Sequence, residues 1–112
     1  MTGTLERLDE LLSSAREADE LLRATTELLA SEPGIAWAGI AFLEGGELIL
    51  GPSAGAPEPR VRRRATVTFQ GERIGELWVD GACEEELLSR LAERLAELVL
   101  VGWDTHGEPW EP

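Results

Sequence analysis

Apolar residues recur along this chain with two periods, and the change of period divides it into a helical start, a sheet and a helical end. Between 4 and 31, Leu8, Leu11, Ala15, Ala18, Leu22, Thr25 and Leu29 fall at spacings of three and four, which makes one stripe on a helix. Thr2 or Thr4 is a candidate N-cap, and Ser31-Glu32-Pro33-Gly34 stops the segment. Ser14-x-x-Glu17 matches a capping box, so the segment reads either as one helix or as two with a break near Ser13-Ser14.

Residues 35–43, IAWAGIAFL, are nine apolar or glycine positions in a row. Trp37, Gly39, Ala41 and Leu43 share one face of a strand, and Ala36, Ala38, Ile40 and Phe42 share the other. Apolar residues on both faces place this strand inside a sheet. Glu44-Gly45-Gly46-Glu47 is a tight turn, because glycine accepts the positive φ angles that a two-residue hairpin loop demands. Leu48-Ile49-Leu50 returns antiparallel, and Gly51-Pro52 ends the strand for want of a ladder amide. Residues 51–60 are a Pro/Gly loop. Residues 64–70 alternate cleanly, with Ala65, Val67 and Phe69 on one face. Gly71-Glu72 is the expected turn of a second hairpin. Residues 73–80 then pair back, with Leu77 and Val79 on one face and Ile74 and Trp78 on the other. Residues 84–101 form the closing helix, with the stripe Leu88, Leu91, Leu95 and Leu98 and three glutamates at its positive end. Residues 102–112 leave it as a Gly/Pro-rich tail, whose Trp103 and Trp110 are expected to pack back on the body. The fold class is therefore α+β: an antiparallel sheet of at least four strands, with the long N- and C-terminal helices on one face, in a single domain spanning 1–112.

Charge changes what this domain is expected to meet. The net charge is −12, and all ten basic residues are arginine. Such a surface repels nucleic acid and anionic lipid, so neither is expected as a partner. No apolar run is long enough to span a bilayer, and the N-terminus lacks the pattern of a signal peptide. One cysteine excludes an internal disulfide, which together with the missing signal gives a cytoplasmic expectation. Four of the ten arginines stand within 60–64. They are read either as an anion site, with Arg62 and Arg64 as ligand-binding candidates, or as a solvated strand edge balancing the acids.

Three further groups invite chemistry. Cys83 precedes the last helix, where the helix dipole favours a thiolate, but Glu84–Glu86 oppose it and no second cysteine is present to resolve a sulfenic acid. Asp104, His106 and Glu108 alternate in the tail and are weak candidates for a metal; a solvated role is the plainer reading, and no metal or cofactor is expected. Trp37 and Trp78 sit on strands that could line a small cavity with an indole N–H as polar handle, or they simply fill space.

The order helix, hairpin, crossing, hairpin, helix resembles a GAF domain. Ile35–Gly55, with GELILGPSAG at 46–55, is similar to the first hairpin of the GAF-type free methionine-(R)-sulfoxide reductases. ATVTFQGERIGELWVDG at 65–81 is similar to the late GAF hairpin, with its G-x-L-x-x-D strand before the last helix. The resemblance implies a ligand pocket on the sheet. It also implies a long segment between the hairpins, which walls that pocket and carries the reductases' catalytic cysteines. Only about a dozen residues bridge Gly51 to Arg64 here, so no catalytic cysteine carries over. The leading expectation is a non-catalytic, stand-alone GAF-like module for small-molecule sensing or protein interaction, dimeric through its helices. The alternatives are a small enzyme, using Cys83 or a metal in the tail, and a structural protein whose sheet face a partner closes.

Overall fold

A computed structural model describes residues 2–14 and 17–102. The helical start is two helices, α1 (Thr2–Leu12) and α2 (Ala18–Ala30). The break near Ser13-Ser14 is present, but not as a capping box. The Ser13 and Ser14 hydroxyls donate backwards to the carbonyls of Glu10 and Leu11, closing the end of α1. Glu17 occupies the N-cap of α2 with no side-chain bond, and Asp19 and Glu20 supply negative charge to its first turn.

Four strands follow: β1 (Ile35–Glu44), β2 (Glu47–Gly55), β3 (Arg62–Phe69) and β4 (Glu72–Gly81). They form one antiparallel sheet in the order β2-β1-β4-β3, so the all-apolar strand β1 is internal. The helix α3 (Glu85–Gly102) closes the described chain. Ala38, Ile40, Phe42, Val67, Leu77 and Val79 on one sheet face join Leu22 and Leu29 of α2 and Leu88, Leu91, Leu95 and Val99 of α3 in a single core. Helix α1 lies on α2 and α3, with Leu8 fully buried and Asp9 accepting from Arg94 Nε at 2.7 Å. Among the described residues no helix is long and apolar enough to cross a membrane.

Three details depart from the pattern read in the sequence, each for a local reason. First, β2 does not end at Gly51-Pro52 but runs on to Gly55. Gly39 pairs with Ser53 and Ala41 with Leu50, so Gly51 and Pro52 together oppose Ile40 in a bulge. On an edge strand the missing proline N–H costs nothing. Gly51 has no alternative there: a Cβ would stand 2.1 Å from Phe42 Cε2. Second, the β3–β4 turn is Gln70-Gly71, one position earlier than expected. Phe69 pairs with Glu72, and both loop residues have positive φ, 52° and 81°. Third, the register shifts between Val67 and Thr68, so Ile74 packs against the core instead of sharing the face of Trp78. β3 itself begins at Arg62, and the shift sets Arg62 opposite Asp80 near the end of β4.

Candidate functional site

The sheet face turned away from the helices is built in rows. In an antiparallel sheet, directly paired residues share a face. Trp37, Asp80 and Arg62 make one row across β1, β4 and β3. Gly39, Trp78 and Arg64 make the next, and Ala41, Glu76 and Thr66 the third. Trp37 lies down over the bare backbone of Gly39: a Cβ there would be 2.4 Å from Trp37 Cη2. This is why an indole on a sheet surface is only 3% exposed. The Arg62 guanidinium covers it, with its carbon 4.5 Å from the Trp37 ring centroid and 5.2 Å from that of Trp78. Arg64 continues the stack, 4.5 Å from the Trp78 ring. Trp78 Nε1 donates to Glu76 Oε1 at 2.7 Å, and Arg73 Nη2 donates to Glu76 Oε2 at 2.7 Å.

Asp80 anchors this ladder. It is fully buried and accepts three hydrogen bonds: from Arg62 Nε at 2.7 Å, Arg62 Nη2 at 2.9 Å and the Glu58 backbone N–H at 2.7 Å. The bidentate fork fixes the guanidinium in the plane that stacks on the tryptophans. The hydrogen bonds from Arg62 hold the Asp80 carboxyl below its ordinary range. Burial opposes that shift, while the Glu58 N–H and the Arg62 charge reinforce it. Arg62 is correspondingly held above its ordinary value, first by its hydrogen bonds to Asp80. The Glu58 contact also pins the β2–β3 connection, residues 56–61, which contains a single 3-10 turn at Pro59–Val61.

The sequence candidates are thus brought together unevenly. Trp37, Trp78, Arg62 and Arg64 stand in one stack, but Trp37 and Arg62 are spent on each other and on Asp80. Trp78 is half-buried and Arg64 exposed, so the accessible end of the stack is theirs. Cys83 is elsewhere. It is buried in the core on the helical side, with its Sγ donating to the Glu84 carbonyl at 3.7 Å. Burial raises its pKa, and Glu84 adds to that; the Arg63 charge works in the opposite direction. Asp104, His106 and Glu108, with Trp103 and Trp110, lie outside the described residues. Among the described residues no group of three or more His, Cys, Asp or Glu is placed to hold a metal ion.

Asp80, Glu76 and Glu58 were not singled out as site residues by the sequence. The signal for Asp80 was present: folding 62–80 about the second hairpin turn places it near Arg62. Finding it required starting the strand at Arg62 and counting the bulge.

No family model matches the sequence, and no curated protein matches it. Solved structures do. The GAF domain of an Acinetobacter phosphoenolpyruvate-protein phosphotransferase superposes with a TM-score of 0.72 at 15% identity, over 96% of this chain and 97% of that one. A type II free methionine-R-sulfoxide reductase from Thermoplasma acidophilum gives 0.64 at 22% identity, over 73% of this chain and 92% of that one. The fRMsr of Staphylococcus aureus, in complex with its substrate, gives 0.60 at 19% identity, over 89% and 91%. At these identities the likeness establishes the fold: the chain has a small GAF-like fold.

Proposed function

We propose that this chain is a non-catalytic GAF-like module that binds a small molecule at the accessible end of the tryptophan–arginine stack. The observation that carries the reading is the pairing of half-buried Trp78 with exposed Arg64, flanked by Glu76 in one neighbouring row and by the Asp80-fixed Arg62 in the other. Such a surface offers a flat ring, a cation and a fixed carboxylate in one patch. It suits a ligand with a planar or apolar part and a polar edge.

Support for the absence of catalysis comes from the only thiol. A reductase of the neighbours' kind needs an accessible thiolate, whereas Cys83 is buried and its pKa is raised. The connection 56–61 between the hairpins contains no cysteine. The test is native mass spectrometry of gently purified protein, alongside a turnover assay on free methionine sulfoxide with a thiol reductant. A discrete retained mass that is lost on Trp78→Ala and Arg64→Ala supports the reading. Turnover abolished by Cys83→Ser overturns it.

A further inference from the structure

A second feature lies at the end of the sheet, where β1 begins and β4 finishes. A shallow cleft of about 620 Å³ opens there, lined by Arg60, Arg63 and the small residues Gly34, Gly81 and Ala82, with Arg62 and Glu58 at its wall. We propose that this cleft is an anion site, taking a small multivalent oxyanion, either a phosphoryl or a dicarboxylate group, between Arg60 and Arg63.

The distribution of charge carries the proposal. The chain has twenty-two acids against ten arginines. Among the described residues Arg7, Arg62, Arg73, Arg90 and Arg94 each meet a carboxylate, and Arg23 is also engaged. Arg60, Arg63 and Arg64 have no carboxylate within ion-pair distance among those residues, and all three come from one run of five. In so acidic a protein, guanidinium groups that gather together without an ion-pair partner are positioned for a negative charge from outside.

Protection of the edge strand explains part of this run, since charged residues on β3 discourage pairing with another sheet. It does not explain Arg60. That residue is on the 3-10 turn and not in the strand, yet it lines the same cleft as Arg63. Its backbone is fixed from both sides. The Val61 N–H donates to the Glu58 carbonyl, and the Glu58 N–H donates to buried Asp80. Arg62 cannot serve as the receiving charge, because Asp80 already neutralises it. Its role is to hold the strand so that Arg63, alternating with it, points to the opposite face. The two guanidiniums suit a divalent oxyanion, and the Glu58 carboxylate on the same wall offsets part of their charge, which leaves the site dependent on both arginines. Small residues on the far wall leave room for the oxyanion to approach closely.

Isothermal titration calorimetry at low ionic strength tests this with inorganic phosphate, pyrophosphate and malonate as separate probes. Saturable binding is expected for phosphate and pyrophosphate if the group is phosphoryl, and for malonate if it is a dicarboxylate. The double variant R60Q/R63Q should weaken it by about tenfold or more, because two charge-assisted contacts are lost. R90Q removes a cation of the Glu86 pair elsewhere and should leave binding unchanged. Absence of saturable binding by every probe overturns the proposal. So does equal affinity in R60Q/R63Q and the parent protein, or equal weakening by R90Q, which would report net charge alone. Trp78→Ala should leave phosphate and malonate binding intact, so failure of this site and failure of the stack as a ligand surface are read separately.

Discussion

Replacing Asp80 with asparagine tests whether the ladder rests on one buried carboxylate. Asparagine keeps the shape and one acceptor but loses the charge, and it turns an amide N–H₂ toward a donor. Asp80 is fully buried and receives three hydrogen bonds, two from a guanidinium. Summing three bonds to a charged group at face value would overshoot, because they share one acceptor and are not additive. Breaking a buried ion pair typically costs about 3–5 kcal/mol, chiefly by stranding the other charge. Arg62 keeps 18% of its side-chain surface exposed and can turn partly to water, so the expected loss is at the lower end, about 3 kcal/mol. With a urea slope of about 1.5 kcal/mol per M, the unfolding midpoint, followed by tryptophan fluorescence, should fall by about 2 M. The pH dependence is the sharper arm. A carboxyl whose folded pKa is depressed contributes its stability above the ordinary unfolded value, about 3.9, and loses it as the pH falls through the lower folded value. The gap between parent and Asp80→Asn should therefore be full at neutral pH and should close below about pH 4. Arg62, whose pKa is raised, stays charged throughout and does not alter that window. A loss under about 1 kcal/mol, or a gap that persists at low pH, would refute the anchoring role.

Three other outcomes follow from the structure. Cys83 should react with a thiol reagent at least about tenfold more slowly in the folded protein than in urea, since burial holds it protonated. Its raised pKa contributes stability below the ordinary thiol value, about 8.5, that is lost as the pH rises through the folded value; Cys83→Ala should therefore flatten the alkaline limb of the stability curve. Gly39→Ala should cost about 1–3 kcal/mol and weaken the near-ultraviolet dichroism, because the new methyl displaces the Trp37 ring from 2.4 Å; an unchanged spectrum would show that the ring does not lie there.

The fold was legible in this sequence because each element carried its own period. The nine-residue apolar run gave β1 an internal place, and the stripes of α2 and α3 gave the face they cover. Tertiary geometry decided what local pattern could not. A proline marked the end of β2 only under the assumption of regular pairing; a bulge opposite Ile40 absorbed it. The alternation of 64–70 was sound, but it started the strand two residues late. That error hid the main interaction of the site, because Arg62 meets Asp80 only when the strand begins at 62 and the register slips once near Val67. The two tryptophans were visible as a pair, yet their unequal roles were not. Trp37 is buried because Gly39, its neighbour on the same face two residues along, has no side chain to hold it off. Trp78 faces Arg64 across the strand pair and stays half open. The same aromatic residue is thus a filler in one row and an accessible surface in the next. What distinguishes them is that Trp37 has a glycine in the next row to lie on and, in its own row, an aspartate that holds the covering arginine.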